Sequence, residues 1–198
     1  MDTLNQAYWE ERYKNDDTAW DMGSITPPIK QYIDQLQDKN IRILVPGAGN
    51  GHEFAYLAQH GFDNAVVLDI AETPLKNIAA NLPHLNPERL VHGDFFEHTG
   101  AYNLIVEQTF FCALDPSLRK SYAEKMHSLL APGGKLAGLL FDFELTQQGP
   151  PFGGSREEYL DLFAPLFKIN MLHRAYNSIK RREDKELFFI FEKKIVTG

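Results

Sequence analysis

Three glycines at alternate positions, Gly47, Gly49 and Gly51, interrupt the run LVPGAGNGHE (44–53). Glycine lets a backbone turn tightly and come close to a ligand, so this is a place where main chain can meet a bound molecule. The spacing is G-x-G-x-G; a dinucleotide-binding turn would want glycine at 52, and His52 stands there. Twenty residues after Gly49, Asp69 lies near the end of the run NAVVLDI (64–70). A carboxylate there can accept hydrogen bonds from both hydroxyls of a ribose; the plainer reading is a cap on the helix that follows. Next come Asp94 and Phe95 in GDFFE (93–97). Asp94 can accept from the exocyclic amine of adenine and Phe95 can stack on the ring, or Asp94 can simply close an Asx turn. This ordered set, with PGG before the fifth strand, fits a nucleoside ligand lying across the carboxyl ends of a sheet. It favours S-adenosylmethionine over a nicotinamide dinucleotide.

The elements that must position these residues alternate short β-rich runs with longer helical patterns, the signature of an α/β chain with a largely parallel sheet. Strands are predicted at IRILVP (41–46), NAVVLDI (64–70), around Arg89–His92, at YNLIVEQT (102–109) and at KLAGLLFDF (135–143). The fourth is a nearly unbroken apolar run, as a central strand buried on both faces requires. Helices are predicted through EFAYLAQHG, ended by Gly61; from Pro74 through LKNIAANL; over 117–130, ended by Pro132-Gly133-Gly134; and over 155–164. Two late strands, FKINMLHRAY and KELFFIFEKK, flank the charged turn IKRREDK and read as an antiparallel hairpin at the sheet edge. Residues 1–35 precede the first strand and carry both tryptophans, Trp9 and Trp20, with helical pattern over 4–14 and 27–37. They have no core of their own and are expected to pack over the sheet's C-terminal edge or one face.

A chain of 198 residues suits one domain, 1–198. Its 43% apolar and 24% charged content is that of a globular protein. A net charge of −7 argues against a nucleic-acid or anionic-membrane partner, which needs a cationic face. Lys180, Arg181 and Arg182 form too short a run to overturn that. The single cysteine, Cys112, excludes an intrachain disulfide and reads as a small buried hydrophobe. No metal is expected, because His52, His92 and His98 lack ligand spacing. The N-terminus has no apolar h-region, and no stretch approaches the ~18–20 apolar residues of a membrane span. A cytoplasmic location and a monomer or small homo-oligomer are therefore expected.

Several stretches carry a more specific likeness: WEERYKNDDTAWDMGSITPPI, LVPGAGNGHE, GDFFE, EQTFFCALDPSLR, LLAPGGKLAGLLF and GPPFGGSREEY. With them the chain resembles class I S-adenosylmethionine-dependent methyltransferases, and more narrowly the thiol and halide methyltransferase branch of the thiopurine methyltransferase superfamily. The resemblance runs from Trp9 to Tyr159, about three-quarters of the chain. It implies a Rossmann-like doubly wound, mostly parallel seven-stranded sheet with an antiparallel C-terminal hairpin. It also implies that residues 1–35 cover the cofactor over a core of 36–198, with Trp9, Tyr13 and Trp20 near it. Gly47, Asp69, Asp94 and Phe95 match cofactor-binding positions, and Gln108 matches a position beside the methionine end. Tyr13 stands where the family commonly has a second tryptophan, and Gln108 where the thiol and halide enzymes carry tyrosine.

The implied reaction is methyl transfer from S-adenosylmethionine to a small soft nucleophile, a thiol, hydrosulfide, halide or thiocyanate, by in-line displacement. Such an acceptor needs no strong general base, so no single catalytic residue is expected; the requirement is a dry aromatic pocket. Trp9, Trp20, Gln108, Phe110, Phe111 and Phe152 are the candidates for its walls. Aromatic faces also attract a sulfonium, by ~0.5–2 kcal/mol. Phe110 and Phe111 have the alternative of being core residues after a buried strand, and Glu107 can either face the ligands or cap the next turn. The alternative function is a methyltransferase for an oxygen, nitrogen, thiopurine-like or metalloid acceptor, motivated by the amide of Gln108.

Overall fold

The computed structural model describes residues 4–145 and 147–195. In chain order it has α1 (Gln6–Lys14), α2 (Pro27–Asp34), β1 (Ile43–Pro46), α3 (His52–Gln59), β2 (Ala65–Asp69), α4 (Glu72–Asn81) and β3 (Leu90–His92). Then follow β4 (Tyr102–Gln108), α5 (Arg119–Leu129), β5 (Leu130–Phe141), α6 (Arg156–Phe163), β6 (Phe167–Arg174) and β7 (Glu186–Lys193). The strands form one sheet in the order β3-β2-β1-β4-β5-β7-β6. β1 to β5 pair in parallel, and β7 runs antiparallel to both β5 and β6. The expected doubly wound sheet and terminal hairpin are present.

Strand periodicity explains both cores. Along β4, Ile105 faces one side and Leu104 and Val106 the other. On one face Ile105 meets Tyr122 of α5, Phe163 of α6 and Phe189 of β7 in a single cluster. On the other face Val106 joins Ile29 of α2, Leu57 of α3 and Ile78 of α4. A strand buried on both faces has no polar side, which is why its sequence reads as a continuous apolar run. Each such side chain contributes roughly 1.5–3 kcal/mol by leaving water. The chain winds outward from β1 to β3, then returns to β4 on the other side of β1. The crevice beyond the carboxyl ends of β1 and β4 is the switch point where such sheets bind ligands.

Apart from the start of β5, element ends fall within three residues of the sequence expectation, and two differences have a physical cause. α4 begins at Glu72, so Pro74 sits within its first turn, where a missing N–H is harmless. Pro132-Gly133-Gly134 do not end a helix ahead of the fifth strand. β5 starts directly after α5, and these residues lie inside it, where its pairing with β4 shifts register between Tyr102 and Leu104. Pro132 brings no N–H to the ladder and Gly133 has φ 71°, so an irregular entry accommodates both.

The N-terminal segment is tied to the core by polar contacts. The Glu10 carboxylate accepts from the amides of Glu72 (2.9 Å) and Thr73 (3.1 Å) and from the Thr73 hydroxyl (2.5 Å). It thus satisfies orphan donors at the start of α4, and the Thr73 hydroxyl foremost holds its pKa down at about 2.

Candidate active site

A cavity of about 600 Å³ opens beyond the carboxyl ends of β1, β2 and β4. Its floor is the turn after β1. Gly47, Gly49 and Gly51 all have positive φ (73°, 53° and 76°), which is why glycine occupies them. Gly47 also needs its missing Cβ, which would lie 2.7 Å from the Phe110 ring, whereas a Cβ on Gly49 would meet nothing within 4 Å. Gly47 and Gly49 line the cavity. Gly51 does not: it precedes α3, packed against Ile78 of α4, and its role is to shape the turn.

Asp69 ends β2 and is 7% exposed. One carboxylate oxygen accepts the Ala48 amide at 2.7 Å and the other the Ala71 amide at 2.8 Å. The cap reading holds through the Ala71 amide at the start of α4, and the side chain also lines the cavity. Burial pushes its pKa up to about 6, against the pull of the Ala71 and Ala48 amides. Asp94 likewise lines the cavity while accepting the Phe96 amide in an Asx turn at 2.7 Å. Phe95 lines the same region, its ring 5.1 Å from that of Phe110.

The N-terminal segment supplies the opposite wall with Trp9, Tyr13 and Trp20. Trp20 meets the other two edge-on, at 5.7 Å from Trp9 and 5.6 Å from Tyr13, and Arg12 stacks over it at 5.2 Å. Burial foremost, with the Asp69 charge behind it, raises the Tyr13 hydroxyl far above its ordinary value, so it stays neutral. Asp21 fixes the segment to the turn after β1: it accepts from Asn50 and the Gly23 amide and pairs with His52 at 2.7 Å. Burial raises its pKa, but those hydrogen bonds outweigh it and hold the carboxyl below its usual value. The Thr26 hydroxyl donates to Gln108 Oε1 at 3.1 Å, joining the segment to the end of β4.

The third wall follows β4. Gln108, Thr109, Phe110 and Cys112 line the cavity, together with Pro150 and Pro151 of the GPPF loop. Phe111 does not line it. Its ring turns into the core against Tyr122 (4.9 Å) and Tyr159 (5.8 Å), the core alternative of the sequence reading. Phe152 is also absent from the lining: it is 8% exposed and its amide donates to the Cys112 carbonyl at 2.8 Å. The two prolines face the cavity in its place. Glu107 caps the turn, accepting the amides of Phe110 and Phe111 at 2.8 and 2.9 Å and the Tyr122 hydroxyl. Burial, with the negative charge of Glu107 behind it, keeps the Cys112 thiol protonated.

Sequence reasoning missed the basic edge of the site. Arg181, Arg182 and Lys185 of the β6–β7 turn reach the cavity, as does Arg12. Arg182 is 6% exposed; it donates to Glu186 Oε1 at 3.2 Å and to the Trp20 carbonyl at 2.7 Å. The run KRR was visible as a charge cluster, but only the strand order brings that turn to the glycine-rich end of the sheet.

A thiopurine S-methyltransferase family model matches residues 4–197 of the chain. The chain belongs to this family. Among curated relatives, it is 35% identical over 172 residues to "Probable thiol methyltransferase 2" of Arabidopsis thaliana, covering 84% of this chain and 75% of that protein. It is 31% identical over 192 residues to thiocyanate methyltransferase 1 of Brassica oleracea, covering 93% and 84%. Among solved structures, the fold is shared with 1,6-didemethyltoxoflavin-N1-methyltransferase of Burkholderia thailandensis, crystallised with S-adenosylhomocysteine. That match has a TM-score of 0.78 and 18% identity, and covers 96% and 87% of the two chains. The chain is an S-adenosylmethionine-dependent methyltransferase. Its cavity fits that cofactor: an acidic end at Asp69 and Asp94, open space over Gly49, and an aromatic wall. No helix among the described residues is long and apolar enough to cross a membrane.

Proposed function

We propose that the acceptor is a small anionic sulfur nucleophile, a thiolate or hydrosulfide, with thiocyanate and halide as further acceptors. The observation that carries this reading is the pairing of aromatic walls with a basic edge: Trp9, Trp20 and Phe110 beside Arg181 and Lys185, while Arg182 is held in its ion pair with Glu186. A cation near a low-dielectric cavity raises the local concentration of an anion, while the rings strip its water. The names of the thiol and thiocyanate methyltransferase relatives support the same class.

On this reading Gly47, Gly49, Asp69, Asp94 and Phe95 hold S-adenosylmethionine, with Trp9, Tyr13 and Trp20 above it. When bound, the cofactor supplies a methyl group already activated on a sulfonium. The chain's task is placement and desolvation. Asp69 and Asp94 accept hydrogen bonds from the nucleoside. Gln108, its amide oxygen engaged by Thr26, keeps its NH₂ as a donor for the acceptor anion. Residues 1–35 serve as a cover over a core of 36–198, together one methyltransferase domain.

The pH dependence of kcat/KM tests the charge of the acceptor. For an alkyl thiol with a pKa of ~8.5 it should rise with the thiolate fraction between about pH 7.5 and 9.5, and for thiocyanate it should stay flat. A thiol profile that does not follow thiolate would reject the anionic acceptor.

A further inference from the structure

Besides Asp69, the chain buries a second carboxylate, Glu107, that has no part in the proposed reaction. Glu107 is fully buried near the end of β4. Room for it comes from Gly138, its partner on β5, where a Cβ would lie 2.7 Å from the Glu107 Cβ. Burying a carboxylate costs several kcal/mol and is tolerated only with good partners. Glu107 has three, the amides of Phe110 and Phe111 and the Tyr122 hydroxyl. All three are charge-assisted when the carboxyl is ionised, the stronger kind of hydrogen bond.

What those bonds hold is a strained turn. Thr109 has φ 57°, a region that costs a β-branched residue ~1–3 kcal/mol. The turn carries Thr109, Phe110 and Cys112 onto the cavity and seats the Phe110 ring on Gly47. It also carries the neighbouring loop: the Cys112 carbonyl accepts from the Phe152 amide. Arg119 stacks on Phe111 at 4.7 Å and donates to the Gly153 carbonyl at 2.6 Å. Pro150 and Pro151 therefore hang from the same anchor.

We infer that Glu107 is a positioning residue that sets the acceptor wall, as Asp69 sets the cofactor turn. The two carboxylates divide the cavity between them: one holds Ala48 and Ala71, the other Phe110 and Phe111. The inference rests on the assignment of the β4 end and the GPPF loop to the acceptor side.

The test compares Glu107→Gln, close to isosteric, with Tyr122→Phe, which removes one bond and keeps the carboxylate. Methyl transfer is measured with whichever of hydrosulfide, thiocyanate or a thiopurine the wild type accepts. Affinity for S-adenosylhomocysteine is measured by calorimetry. Exchange of the Phe110, Phe111, Ala48 and Ala71 amides is followed by NMR. Glu107→Gln keeps an Oε1 acceptor for both amides but removes the charge and turns an NH₂ toward Tyr122, and it should lower kcat/KM for the acceptor ~10-fold, the scale of lost charge assistance. S-adenosylhomocysteine affinity should stay within ~3-fold, about 0.7 kcal/mol. Phe110 and Phe111 should exchange at least ~10-fold faster while Ala48 and Ala71 do not change, with Tyr122→Phe intermediate. Acceptor kinetics within twofold of wild type, or an equal loss of S-adenosylhomocysteine affinity, would overturn the division of labour. If the wild type takes only the thiopurine, the anionic-acceptor proposal fails while this test proceeds with that substrate. If no acceptor on the panel reacts, unchanged protection of Phe110 and Phe111 in Glu107→Gln overturns the inference, and selective loss supports it.

Discussion

At the scale of single residues, the proposed site gives its carboxylates structural and ligand-binding work together. Asp69 spends one acceptor position on each of two amides, which leaves lone pairs for the ribose contact we propose. Replacing it with asparagine should weaken S-adenosylhomocysteine binding ~10–100-fold, the worth of hydrogen bonds to a charged group. A loss under threefold by calorimetry would count against its role. Its pKa, raised from 3.8 to about 6, fixes a second expectation. The folded chain holds this proton more tightly than the unfolded chain, so the group's stabilising contribution is complete below pH ~4 and is lost as pH rises through about 6. Without cofactor, wild type should therefore lose stability relative to Asp69→Asn between about pH 4 and 7 in urea titrations, and a constant difference would contradict this. Asp69 was legible in sequence because its distance from Gly49 is local to one βαβ unit. The split between Phe110 and Phe111 was not. Adjacent residues in a turn have no periodicity, and which ring faces the cavity depends on Glu107 pinning both amides.

At the scale of elements, the glycine turn, the N-terminal segment and the β6–β7 turn converge because the sheet reverses beside β1. Arg182 joins the last two, bonded to the Trp20 carbonyl and to buried Glu186. Arg182→Ala should cost ~3–5 kcal/mol, because it leaves the Glu186 carboxylate buried with only the Ser178 hydroxyl. Arg182→Lys should fall between, since an ammonium keeps the charge but not the planar fork. Chemical denaturation measures both, and an alanine variant within 1 kcal/mol of wild type would show the pair to be incidental (~1 kcal/mol is the usual surface-pair value). The hairpin itself was readable from its two apolar runs. Its turn's arrival at the cavity was not, because that follows from β7 inserting beside β5, a choice made by Phe189 and Phe191 in the core. The PGG run misled for a related reason: its turn chemistry was correct, but a register shift with β4 absorbed it into a strand.

At the scale of the whole molecule, an acidic chain of net charge −7 brings Arg12, Arg181, Arg182 and Lys185 to a cavity that Asp21, Glu53, Asp69 and Asp94 also line. Its cofactor turn, aromatic segment and basic turn meet around one cavity, each positioned by a buried charge. The proposed activity is methyl transfer from S-adenosylmethionine to a small anionic sulfur nucleophile. The most direct measurement incubates the protein with methyl-labelled S-adenosylmethionine and, separately, hydrosulfide, an alkyl thiol, thiocyanate, iodide, a thiopurine and a catechol. Volatile labelled product from hydrosulfide, the thiol and thiocyanate is the predicted result. Label found only on the thiopurine or the catechol would contradict it.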